Sequence, residues 1–162
     1  ISSPSYGLAA VVDMRGNANY MKLSDGEFII FPKFECEILK DTLPFMYQRG
    51  VVINHQGYMN IVDKEGNFLC NEWYKKIEYL HKSITDNFKC FFSVKNDGLY
   101  NCLDYQGNVM YDEWFVYPIR NWTVGYNGGT PWTDVKLENG EWVRIDAMGN
   151  MYHTNETHLS FL

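Results

Sequence analysis

Trp122, Tyr126 and Trp132 stand close together, with Asn121, Asn127 and Asp134 among them. Aromatic rings beside amides and a carboxylate can stack on a ligand and hydrogen-bond its edges. Trp122, Tyr126, Trp132 and Asp134 are therefore the candidate ligand- or partner-binding residues, for a glycan or a peptide. The competing structural reading is a loop that folds back to cap the last segment of the chain.

Other chemistry-bearing residues have a structural reading that explains them as well. Asp63, Asp104 and Asp146 recur and invite a paired-carboxylate or cation-site reading. Each, however, opens an Asp-x-x-Gly-Asn stretch, in which Asp accepts bonds from its own turn and Gly takes a positive φ. A calcium loop needs more oxygens than Asp63-Lys-Glu-Gly-Asn offers. His55, His81, His153 and His158 are scattered, and a metal site from His153, Glu156 and His158 is set below a mobile tail. Cys36, Cys70, Cys90 and Cys102 form no Cys-x-x-Cys and no zinc spacing, and are too sparse for a disulfide scaffold. Buried thiols are the expectation. No phosphate loop, nucleophile elbow or metalloprotease motif occurs. The expectation is a non-enzyme with no catalytic residue, no metal and no cofactor.

Internal repetition organises the chain. Shifted by 41 residues, GYMNIVDKEGNFLCNEWY (57–74) matches GLYNCLDYQGNVMYDEWF (98–115) at seven of 18 positions. These include Gly57/Gly98, Asn60/Asn101, Asp63/Asp104, Gly66/Gly107 and Trp73/Trp114. A weaker copy keeps Gly140, Asp146, Gly149 and Asn150. A shortened one at the front carries Asp25-Gly26, which suits a two-residue turn. The central glycines at 26, 66, 107 and 149 are spaced by 40, 41 and 42 residues.

Each copy reads as an apolar run, a Gly turn, an alternating run and the Asp-x-x-Gly-Asn turn, then a short third strand at 68–69 or 109–110. Alternation with β-branched and aromatic residues indicates strands. The Glu-Trp-aromatic box leads to further short elements near 77–80 and 118–119. The fold expected is all-β and mainly antiparallel. It is a single domain, 1–162, of three to four units of about 41 residues, at about 8–45, 46–86, 87–128 and 129–155, with a short tail. The units form a solenoid-like or propeller-like array. The expected core includes Val52, Ile61, Phe68, Trp73, Phe92, Val94, Leu103, Trp114 and Ile145.

The pattern Gly-aromatic-Asn-apolar-apolar-Asp-x-x-Gly-Asn, followed by Glu-Trp-aromatic, resembles the WG (KWG) repeat family. The resemblance covers about residues 8–152 and is closest in the two central copies. It implies a repeat array used as an interaction surface in a bacterial or phage-related system. It brings no catalytic residues. Gly57, Asp63, Gly66, Trp73, Gly98, Asp104, Gly107, Trp114, Gly140, Asp146 and Gly149 are its structural positions.

Composition narrows the function. The 162 residues are 17% aromatic and carry a formal charge of −6. No basic cluster supplies a nucleic-acid footprint. No apolar run reaches the roughly 18 residues of a membrane helix. The start, Ile1–Ser5, lacks a signal peptide and an initiator Met, so a processed or cut chain is expected. The cytoplasm is the default compartment, with export as the alternative where a leader was removed. Sequons at Asn121 and Asn155 are read as chance. The first functional reading is a protein-interaction module with another protein as partner. The second is a carbohydrate-binding module using exposed aromatics. The third is a small acidic inhibitor. Edge strands offer a route to self-association.

Overall fold

The computed structural model describes residues 8–12, 18–27, 36–38, 48–54, 56–80, 87–124 and 129–153. Among these, all regular structure is antiparallel β-sheet and no helix occurs. The chain divides into two compact units, residues 1–75 and 76–162.

The first unit holds a two-stranded sheet of β1 (Leu8–Val12) and β2 (Ala18–Lys22), and a three-stranded sheet. The latter comprises β3 (Cys36–Ile38), β4 (Arg49–Asn54) and β5 (Met59–Asp63), in that order. Val51, Val52, Ile61 and Val62 are fully buried. Consecutive buried residues on one strand mean that both faces of the β4–β5 hairpin are covered.

The second unit holds β6 (Lys76–Tyr79), β7 (Phe92–Asn96) and β8 (Leu99–Leu103) in one sheet. Its other sheet holds β9 (Trp132–Lys136), β10 (Trp142–Asp146) and β11 (Met151–Tyr152), with β10 central. Asp97 and Gly98 both take positive φ, which makes the two-residue turn favoured between β7 and β8. Phe115 bridges Tyr100 of β8 on one side and Leu137, just after β9, on the other, so the two sheets are linked through it. Phe88, Tyr111, Val135, Val143, Ile145 and Ala147 are buried in the same core.

The Asp-x-x-Gly-Asn turns are built alike. Asp63 Oδ1 accepts from the N–H groups of Glu65 (3.0 Å) and Asn67 (2.9 Å). Asp104 does so with Gln106 and Asn108, both at 2.9 Å, and Asp146 with Met148 and Asn150, both at 3.0 Å. The other carboxylate oxygen of each accepts from the Asn side chain. Gly66, Gly107 and Gly149 have φ of 87°, 82° and 101°, a region costly to residues with a Cβ.

Several expectations are corrected. Phe68, Trp73 and Trp114 are only half-buried. The residue after each Trp takes the core place: Tyr74 is 4% exposed and Phe115 is 0%. Tyr74 and Phe115 bridge Met59 and Tyr100, and in extended chain neighbouring side chains point to opposite sides. Trp73 packs edge-on against Phe68, with ring centroids 5.1 Å apart. The third strands at 68–69 and 109–110 reduce to single bridges, Val62 to Phe68 and Leu103 to Val109. The front turn is a four-residue loop, closed by the Gly26 N–H on the Lys22 carbonyl at 2.9 Å.

Cysteine behaviour also departs from expectation, since Cys90 and Cys102 form a disulfide. The Phe91 N–H bonds the Leu103 carbonyl and draws the lead-in to β7 along β8. The two Cα atoms come within 5.7 Å, a separation that a disulfide spans. Cys70 is a buried thiol.

Candidate functional site

The candidate site is a cleft at the edge of β9. Trp132 exchanges both backbone bonds with Thr123, at 2.7 and 3.0 Å. At the other end, the Val116 N–H donates to the Lys136 carbonyl at 2.9 Å. The chain between these anchors, 117–122, is six residues long and faces only the three residues 133–135 of β9. Pro118 supplies no N–H to extend the pairing. The surplus length bows outward and leaves an open cleft of about 380 Å³. Tyr117, Arg120 and Asn121 line one wall, and Asp134, Lys136 and Trp142 the other.

The two ends of the cleft differ. Tyr117 follows the Val116 anchor, and Trp142 pairs with Lys136 across β9 and β10. Both rings therefore stand near Lys136, and they are 58% and 55% exposed. Asn121 and Thr133 mark the opposite, polar end. The Asp134 carboxylate is held by a bidentate bond from Arg144, Nε to Oδ1 at 2.7 Å and Nη2 to Oδ2 at 3.0 Å. The Arg144 guanidinium in turn lies 3.6 Å from the centre of the Trp132 ring, a cation–π stack.

The residues expected from sequence to form one site are thus distributed. Asp134 lines the cleft. Trp132 stacks beneath Arg144 at its border. Trp122 packs edge-on against Phe88, with centroids 5.3 Å apart, and joins the core of the second unit. Tyr126 lies outside the described residues. Tyr117, Arg120, Lys136 and Trp142 were not among the sequence candidates. For Trp142 a signal existed: in 141–145, alternation sends Val143 and Ile145 inward and Trp142 and Arg144 outward. For Tyr117 and Arg120 there was none, because the bow follows from two anchors distant in sequence.

Other polar groups serve the framework. Asn60 and Asn101, identical in the two central copies, are buried staples. Asn60 accepts from the Cys70 N–H at 3.0 Å and donates to the Cys70 carbonyl at 3.1 Å. Asn101 treats Tyr111 likewise, at 3.3 and 2.9 Å. The Tyr111 hydroxyl donates to the Asp146 carbonyl at 2.5 Å. Burial, and secondarily the Asp146 charge, hold the Tyr111 phenol well above its ordinary pKa. Burial raises Tyr152 as well, helped by its bond to the Asp146 carboxylate. His153 touches two carboxylates, Glu141 at 3.1 Å and Glu113 at 3.3 Å. His158 and Glu156, the other members of the imagined metal site, lie outside the described residues. Among the described residues, no His/Cys/Asp/Glu group is arranged to hold a metal ion. No described helix is long and apolar enough to cross a membrane.

No protein-family model matches the chain. No curated protein matches it. Among solved structures, the crystal structure of the computationally designed Ika8 protein is similar with a TM-score of 0.39 and 13% identity, over 92% of this chain. The match spans 46% of that designed chain, about half its length. A likeness at this level carries no argument about function.

Proposed function

We propose that the protein is a non-catalytic binding module of tandem β-hairpin units, and that it binds carbohydrate in the cleft at the β9 edge. The observation that carries this reading is a short cleft closed at both ends of that edge, with Tyr117 and Trp142 exposed at one end. Polar edges with one or two apolar faces describe a sugar ring, whose C–H face packs on an aromatic ring. A volume of about 380 Å³ falls in the range of small-ligand sites. The Cys90–Cys102 disulfide fits an oxidising compartment, where surface glycans are met.

The matching Asp63, Asp104 and Asp146 turns and the Asn60 and Asn101 staples support an array of repeated units, solenoid-like or propeller-like. They agree with the resemblance to WG repeats. The same turns support a binding rather than catalytic role, because their carboxylates are committed to turn amides and that of Asp134 to Arg144. The second reading, a protein-interaction module, is favoured by the residue types at the cleft. Tyr, Trp and Arg dominate binding energy in protein interfaces, and Tyr117, Trp142 and Arg120 stand together here.

Saturation-transfer NMR against a sugar panel tests the proposal, with Trp142→Ala as the paired variant. Transfer to ring protons that disappears in the variant is expected. Silence from every sugar overturns it. A protein captured by the parent chain and released by Trp142→Ala establishes the second reading in its place.

A further inference from the structure

We infer that the ligand of this cleft is an acidic N-acylated sugar, a ring carrying one carboxylate and one secondary amide. The inference rests on the carbohydrate reading above and goes on to name the class of sugar.

The amide follows from strand geometry. In an antiparallel strand, successive residues direct their backbone groups to alternate sides. The Leu137 N–H bonds Glu141 on the β10 side, whereas Trp132 and Lys136 direct theirs toward 116–123. Asp134 shares their side, so its N–H and C=O point into the cleft. Among the described residues neither has a backbone partner. One donor and one acceptor at a strand edge are the complement of one secondary amide.

Closure of the edge excludes a longer amide chain. The open part of β9 is three residues, about 10 Å at strand rise. The Thr123–Trp132 bridge and the Val116–Lys136 bond block it at either end, so an extended peptide cannot run along it. A peptide terminus would bring an amide and a carboxylate but no C–H face for the aromatic end.

Charge supplies the carboxylate. Arg120 and Lys136 line the cleft, and neither side chain has an ion-pair partner among the described residues. The Asp134 charge is already answered by Arg144. The local balance is therefore positive on a chain whose formal charge is −6. A ring between Tyr117 and Trp142 places its carboxylate near Lys136 and Arg120 and its amide over Asp134.

Titration of four probes by NMR separates these features. N-acetylneuraminic acid carries ring, amide and carboxylate. N-acetylglucosamine lacks the carboxylate, glucuronic acid lacks the amide, and N-acetylaspartate lacks the ring. N-acetylneuraminic acid should bind tightest, with each of the other three weaker by about tenfold. Lys136→Gln and Arg120→Gln, both at the surface, should each weaken it by about tenfold and leave N-acetylglucosamine unchanged. Added salt should weaken the acidic sugars alone. Equal binding of N-acetylglucosamine and N-acetylneuraminic acid overturns the inference while the carbohydrate reading stands. Binding of N-acetylaspartate alone, or of none of the four, overturns both.

Discussion

Replacing Asn101 by Ala tests whether a buried amide staple holds the Glu-Trp-aromatic segment to its sheet. Asn101 is 2% exposed, as is Tyr111, whose backbone it engages. The substitution strips partners from the Tyr111 carbonyl, held at 2.9 Å, and from the Tyr111 N–H, held at 3.3 Å. A contact from Asn101 to the Glu113 carbonyl, at 3.4 Å, goes with them. Leaving a buried backbone group unsatisfied costs about 1–3 kcal/mol. Two such groups place the loss at about 2–5 kcal/mol, a large share of the roughly 5–15 kcal/mol that holds a domain folded. With a urea dependence of about 2 kcal/mol per molar, the midpoint should fall by roughly 1–2.5 M. Asn101→Asp keeps the shape but loses the donor, and should be at least as damaging at neutral pH. Asn108→Ala is the control: its side chain sits at the surface and bonds Asp104 at 3.3 Å, so about 0.5 kcal/mol is expected. Urea unfolding followed by circular dichroism decides the matter. A midpoint for Asn101→Ala no lower than that of Asn108→Ala would refute the staple argument.

The disulfide closes a loop of 12 residues, for which chain entropy gives about 3 kcal/mol. Cys90→Ser with Cys102→Ser should lower stability by that amount, and mass spectrometry of the alkylated, unreduced parent should show these two cysteines protected. Tyr111 has a folded-state pKa raised above its ordinary value of 10.0, and Tyr74 and Tyr152 are shifted the same way. Their contribution is full below pH 10 and is lost as pH rises, because the unfolded phenols ionise first. Unfolding in urea should therefore become easier from about pH 10 upward, and Tyr111→Phe should flatten that decline. Gly107 sits at φ 82° in its turn. Gly107→Ala should cost about 1–2 kcal/mol and Gly107→Asn distinctly less, since Asn tolerates this conformation; equal midpoints for the two variants would contradict the strain argument.

Local patterns were legible where a residue's role is decided by its near neighbours. Asp63, Asp104 and Asp146 bond amides two and four residues on, so spacing alone identifies the turns. Val52, Ile61, Phe92, Val94, Leu103 and Ile145 alternate within strands and are buried as that pattern requires. The pattern failed at the Glu-Trp-aromatic boxes. Two adjacent large aromatics compete there for one inward place, and the bridges of Tyr74 and Phe115 award it to the second. The identity of Asn60 and Asn101 was visible, but not its cause, since each staples a backbone ten residues away.

The amino-acid sequence by itself determined the all-β class, the positions of the turns and most of the strand interiors, because these follow from bonds and alternation within a few residues. Tertiary structure alone decided the Cys90–Cys102 pair and the cleft. The cleft exists because Thr123 and Val116 anchor on β9 with six residues between them and only three opposite. Such a mismatch is a relation between two segments, and neither segment records it.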